Sequence, residues 1–327
     1  MITLAEDREK RPASDSIVGE AAGVHRLIIL LACLTVVLLV AGALVTSNEA
    51  GDSVPDWPMS FGRFLVGSRQ FVGNVRYEYS HRVVAGAVAS VTFLGALWTW
   101  SRPRLRQTFG WLALAALLGV VFQAGLGGVR VLLPGYKIPI AIIHAFVAQS
   151  YFCLVVSLAL VTSAGWSEHG RARTNNPSEP SSLPPLSGFA VAVVMVQLLL
   201  GAGYRHGAIP IGWHIGGAVT VLFVIAATSV AVYKNHSGDR YLMRPVLMMC
   251  TLLLLQIGLG VGAYAARLAS VDDPQPLEPM VSLTVAHVVV GALTLASVLV
   301  LALRCYQTLD RPLGAERLGA SGSVARA

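Results

Sequence analysis

Apolar residues along this chain gather into eight long blocks parted by short polar segments, at roughly 27–47, 83–100, 108–129, 139–162, 187–204, 212–233, 243–266 and 282–303. Each block approaches the length a helix needs to cross a hydrocarbon core, about 20 residues. A bilayer offers no water to the backbone, so such blocks must satisfy their own amides and carbonyls as helices. The pattern predicts an all-α membrane protein with eight transmembrane helices.

Composition agrees. Of 327 residues, 55% are hydrophobic and 13% charged, where a soluble domain carries about 25% charge. The polar stretch 1–26 lacks a small-residue cleavage site, so the first block is expected to stay as a helix of the mature chain. Its acidic Glu6, Asp7 and Glu9 argue against a mitochondrial transit peptide and for a bacterial source. The net charge of +7 would suit nucleic acid, but in a membrane protein basic residues record orientation. With the N-terminus inside, 16 of the 24 Lys and Arg fall on the inner side. Both termini are therefore expected in the cytoplasm of a multi-pass bacterial inner membrane protein, with lipid as its surroundings and nucleic acid excluded.

The blocks repeat. Gln123-Ala-Gly-Leu-Gly-Gly in the third matches Gln256-Ile-Gly-Leu-Gly-Val in the seventh, and His81-Arg-Val-Val-Ala-Gly matches His214-Ile-Gly-Gly-Ala-Val, both at an offset of 133 residues. Two tandem four-helix bundles are predicted, related by a pseudo-two-fold parallel repeat, since an even number of spans returns the chain to the same side. The expected divisions are a cytoplasmic tail 1–26, a first half 27–162, a linker 163–186 of Pro- and Ser-rich composition, a second half 187–303 and a cytoplasmic tail 304–327. The halves differ in one respect: the first outer loop, about Asn48 to Ser80, is far longer than its counterpart.

Four of the eight histidines, His25, His169, His206 and His236, fall in loops or at helix ends. The other four, His81, His144, His214 and His287, open the second, fourth, sixth and eighth spans, which places them at a similar depth near the outer face. Ionisable groups in hydrocarbon are costly and tend to serve a function. Two imidazoles per half suit the two axial positions of an iron porphyrin held between facing helices. Zinc wants three or four ligands, with Cys or acids among them, and the spans hold no such cluster. Gly86, Gly216, Gly217 and Gly291 near these histidines would let a flat macrocycle approach the backbone, or would serve ordinary helix packing. The cysteines, Cys33, Cys153, Cys250 and Cys305, show no metal-ligand spacing and are expected to be packing residues.

Glu78 precedes His81 by three residues, on one face if the helix begins that early. Only the first half pairs a histidine with a carboxylate, which points to substrate binding there and to a resident cofactor in the second half. Such an acid would take a proton or stabilise positive charge; the alternative is a helix cap or a partner for Arg82.

These residues are similar to those of the haem A synthases. The resemblance rests on Gly-Asp-Ser-Val-Pro-Asp-Trp-Pro at 51–58, Glu78-Tyr-Ser-His-Arg82, Gln-x-x-Leu-Gly-Gly at 123–128 and histidines on the even spans. It implies oxidation of a methyl group of haem O to the formyl group of haem A, by successive hydroxylations and dehydration of the diol. It further implies His81 and His144 as axial ligands of the substrate haem, His214 and His287 as those of a haem b cofactor, and Glu78 as the catalytic carboxylate. Expected partners are haem O, a haem O synthase, oxidase assembly factors, an electron acceptor and further copies of the chain. One departure stands out: many members carry a cysteine pair in the first outer loop, where this chain has Val54 and Ser60. Two other classes compete. A di-haem electron-transfer cytochrome would normally set haems near opposite faces, and a transporter would show broken helices with charges at mid-membrane.

Overall fold

The structure is a computed structural model that describes residues 3–175, 181–274 and 276–309. Among these residues the regular secondary structure is α-helical apart from a three-residue 3-10 turn and an isolated bridge between Ser60 and Arg63. The helices are α1 (Thr3–Ser47), α2 (Val75–Ser101), α3 (Pro103–Leu132), α4 (Lys137–Val161), α5 (Ala164–Asn175), α6 (Leu183–Arg205), α7 (Ile211–His236), α8 (Arg240–Ala269) and α9 (Met280–Leu309). All except α5 are long and apolar enough to cross a membrane, α1 over Ala22–Ser47. The chain is a multi-pass membrane protein.

The helices overrun the apolar blocks. α2 begins at Val75, eight residues before the expected 83, because Glu78 and Arg82 find partners in the neighbouring loop and Arg76 pairs with Tyr77 beside it, so none of them needs hydrocarbon around it. His81, His144 and His287 consequently lie about two turns inside their helices rather than in the first turn, while His214 does lie in the first turn of α7. The polar stretch before residue 27 continues α1 toward Thr3. The segment read as a linker is partly ordered as α5, which packs on α9. Most of the last tail, 310–327, lies outside the described residues, as do 176–180 of the linker.

α1, α2, α3 and α4 pack in a closed ring, as do α6, α7, α8 and α9, and the two quartets meet through α1, α4, α6 and α9. The first encloses Val24, Leu31, Val88, Ala116, Tyr151 and Val155; the second encloses Ala190, Ile225, Met249, Leu295, Val298 and Leu301. Since lipid is as apolar as these side chains, close contact and buried hydrogen bonds hold the helices together. Thr92 and Tyr151 join α2 to α4 through their hydroxyls at 2.6 Å. Trp111 and Leu254, 80% and 70% exposed, lie on the outer surface where lipid would cover them. The four cysteines are free.

Polar pairs place alternate helix ends together. At one side Arg205 donates to Ser47 (2.8 Å) and Arg267 to Tyr204 (3.2 Å). At the other side His25 bonds Thr162 (3.0 Å) and Arg304 donates to the Tyr241 carbonyl (2.7 Å).

Candidate functional site

The loop 48–74 is folded onto the first helix quartet by polar contacts. The Asp56 carboxylate accepts from the amides of Phe61 (2.7 Å) and Gly62 (2.6 Å), both in the left-handed region with φ of 56° and 71°. The Gly62 amide, more than any other neighbour, holds the Asp56 carboxyl below its ordinary range. Arg82 enters this turn from α2 and donates to the carbonyls of Asp56 (2.7 Å) and Met59 (2.9 Å). Its guanidinium also reaches the Val54 carbonyl (3.3 Å) and the Ser60 hydroxyl (3.4 Å). Those are the positions at which a cysteine pair was expected, so here a guanidinium joins them. At the loop's far edge Lys137 pairs with Asp52 (2.9 Å) and Arg130 donates to the Gly51 carbonyl (2.5 Å).

Glu78 sits beneath this loop, 5% exposed. One carboxylate oxygen accepts from Arg82 at 2.6 Å, and the other accepts from the Val54 amide (2.9 Å) and the Ser53 hydroxyl (3.0 Å). With α2 starting at Val75, Glu78 and His81 are i and i+3 and share a helix face. The pairing with Arg82, the structural alternative, is thus observed, with the carboxylate in the first turn of α2.

The four histidines come in two pairs. His81 and His144 lie close enough to interact electrostatically, as do His214 and His287. The rings of His214 and His287 are 6.1 Å apart, centre to centre, at 80° to each other. Two imidazoles that share one metal through bonds of about 2.0–2.1 Å have ring centres roughly 6 Å apart, so this pair fits a common iron. In the first pair, Nδ1 of His81 and of His144 is buried and makes no hydrogen bond of good geometry. Among the described residues no three His, Cys, Asp or Glu side chains gather as a metal-ion site.

A β-carbon at Gly86 or Gly216 would meet nothing within 4 Å, whereas at Gly217 it would strike the Gln197 amide oxygen and at Gly291 it would stand 3.0 Å from the Gln256 amide nitrogen. Gln197 was not singled out from the sequence, although like Gln256 it stands one turn before a glycine. His206, in the turn between α6 and α7, has a pKa pushed down to about 4, first by burial and then by Arg205 and Arg130.

Residues 25–208, more than half of the chain, match the COX15-CtaA family, described as cytochrome oxidase assembly protein. The chain belongs to this family. Among the COX15-CtaA relatives it is 26% identical over 171 residues to a protein named heme A synthase from Alkalihalophilus pseudofirmus, a match covering 52% of this chain and 55% of that one. A heme A synthase from Halalkalibacterium halodurans is 32% identical over 143 residues, covering 42% and 45%. One from Rhizorhabdus wittichii is 22% identical over 333 residues, covering 83% and 91%. The chain thus spans about half the length of the first two relatives and nearly all of the third. The family match contains the loop, Glu78, His81 and His144, and ends ahead of His214.

Proposed function

We propose that this chain oxidises the methyl group of haem O to the formyl group of haem A, as a haem A synthase of a bacterial inner membrane. The observation that carries the reading is the asymmetry between two histidine pairs. Both lie near one side of the membrane, but only His81 has a carboxylate on its own helix face and a folded loop above it.

In this reading His81 and His144 bind the substrate, haem O, through its iron. His214 and His287 hold haem b, whose chemistry when bound is one-electron transfer. Glu78 acts on the first site. Both of its oxygens already accept hydrogen bonds, from Arg82, Val54 and Ser53, so its negative charge is better placed to stabilise positive charge developing on the substrate than to take up a proton. Arg82 and the loop exclude water from above and hold the carboxylate in place. The charge asymmetry of the chain favours the loop on the outer side and both termini in the cytoplasm. Haem O synthase would supply the substrate, oxidase assembly factors would accept the product, and an electron acceptor outside the chain would take the electrons.

The test is to express the chain in membranes that supply haem O and to identify extracted haems by mass spectrometry. Haem A or its hydroxylated precursor beside haem B is the expected result. Haem B alone, with haem O unconverted, would overturn the proposal in favour of a di-haem electron-transfer cytochrome.

A further inference from the structure

Basic residues gather at the helix ends opposite the long loop, 16 of 24, so a cation at the loop side runs against the general bias. In the first quartet the loop accounts for such cations: Arg82 holds the carbonyls of Asp56 and Met59, Arg130 holds that of Gly51, and Lys137 pairs with Asp52. In the described second quartet the Lys and Arg residues at that side are Arg205 and Arg267. The loop does not account for them.

Each stands over a histidine. A β-carbon at Gly201 on α6 would lie 3.0 Å from Cε1 of His214, and one at Gly260 on α8 would lie 2.7 Å from Cε1 of His287. Arg205 comes four residues after Gly201 and Arg267 seven after Gly260, spacings that keep each pair on one helix face. At about 1.5 Å of rise per residue the arginines lie about 6 and 10 Å nearer the loop side than those glycines.

Their partners leave them short of negative charge. Arg205 donates to the Ser47 hydroxyl (2.8 Å), while its Nε is buried and makes no hydrogen bond of good geometry. Arg267 donates to the Tyr204 hydroxyl (3.2 Å) and lies over that ring, 5.5 Å from its centre. The two guanidinium groups are near enough to repel each other. Among the described residues the ion pairs join Arg82 to Glu78 and Asp52 to Arg130 and Lys137, and none reaches Arg205 or Arg267. Glu278, just before α9, is taken by Ser282. Like charges gathered at the end of an apolar bundle are costly unless an anion joins them.

We propose that Arg205 and Arg267 bind the two carboxylates of the porphyrin whose iron is held by His214 and His287, and so fix how that ring is turned between the helices. The inference rests on the assignment of this histidine pair to haem b. A haem carries both carboxylates on one edge, and that edge must face the polar end of the bundle, because ionised groups in hydrocarbon are costly. A guanidinium meets a carboxylate through two parallel charge-assisted bonds, which set orientation as well as affinity.

The experiment uses the His81→Ala chain in membranes of haem-deficient cells, so that low-spin absorption reports the second pair alone. Haemin, or haemin dimethyl ester with both carboxylates blocked, is titrated in. Haemin should bind more tightly than the ester by roughly tenfold or more, the scale of one charge-assisted bond. Arg205→Gln and Arg267→Gln should each weaken haemin by about tenfold and leave the ester's affinity unchanged. Arg205→Lys and Arg267→Lys, which keep the charge but lose the paired geometry, should keep the ester's affinity and lose part of the preference; they decide the matter if the Gln variants fold poorly. Equal binding of haemin and ester before any arginine is changed would overturn the proposal. So would equal weakening of both in the Lys variants, which would make the arginines structural. An undiminished preference, accompanied by loss of copurifying phospholipid, would give them to lipid headgroups instead. Failure of any low-spin site to form in the His81→Ala chain would refute the haem assignment of the second pair itself.

Discussion

The indole of Trp57 lies against the backbone of Gly128, so close that a β-carbon there would stand 2.6 Å from the ring. The Pro-Asp-Trp-Pro loop is thereby seated on the Gln-x-x-Leu-Gly-Gly segment of α3, one turn from the glutamine that holds the His144 carbonyl. Two sequence motifs that lie 71 residues apart form a single joint.

Gly128→Ala should lift this loop. A methyl group forced against a rigid indole costs about 1–3 kcal/mol, enough to raise the open fraction of the loop by roughly tenfold. Trypsin supplied from the loop side should then cut at the exposed Arg63 and Arg69 several times faster than in wild type. Unchanged cleavage would mean that Trp57 rests on Gly128 without anchoring anything.

His214→Ala and His287→Ala should each abolish the low-spin haem b spectrum, because each removes one of two axial bonds. The described second quartet holds no other histidine at that depth to replace them. Full retention of the spectrum in both variants would refute the assignment of this pair.

How much of this was legible in the sequence follows from range. Eight spans could be read because crossing hydrocarbon demands some 20 apolar residues whatever the helix packs against. Their ends could not, since Glu78 and Arg82 extend α2 by meeting a loop some 22 to 28 residues earlier in the sequence. The histidines and Glu78 were legible as chemistry out of place in an apolar chain. The contact of Gln197 with His214 was not, because a glutamine one turn from a glycine acquires meaning only when a neighbouring helix places an imidazole against it. The ordering of α5 was likewise hidden, since its polar sequence is held by packing on α9.

Topology is open to a direct check. A reporter inserted after Ser68, in the loop held by Arg82, should work only if it functions in the periplasm, since 16 of the 24 basic residues lie on the opposite side. Activity from a cytoplasm-dependent reporter at that point would invert the orientation and carry the histidine pairs with it.

His206 should make stability depend on pH. Burial holds its pKa at about 4 in the folded chain, against about 6.5 when unfolded, so between these values the unfolded state binds the extra proton. Stability is therefore expected to fall as pH drops from about 6.5 toward about 4. The thermal midpoint in detergent should drop less on acidification in His206→Gln than in wild type. Equal drops in the two proteins would assign the acid sensitivity to other groups.

Glu78→Gln should separate binding from chemistry. The amide keeps the side chain's length and its capacity to accept from Val54 and Ser53 through one oxygen, but it removes the negative charge that faces Arg82. Both histidine pairs should still take up haem, because neither depends on the carboxylate. Conversion of haem O should fall by about a hundredfold or more, the scale on which one well-placed charge changes a rate in a site of low dielectric. Were Glu78 only an anchor for Arg82 and the loop, the loss would show as instability of about 1 kcal/mol, since Arg82 keeps the carbonyls of Asp56 and Met59, and turnover per folded molecule would stay nearly constant. The deciding quantity is the ratio of haem A plus its hydroxylated precursor to haem O, normalised to the low-spin haem b of folded protein. A normal ratio with reduced protein would make the carboxylate structural, whereas a collapsed ratio with normal haem b would place its charge at the reacting methyl group.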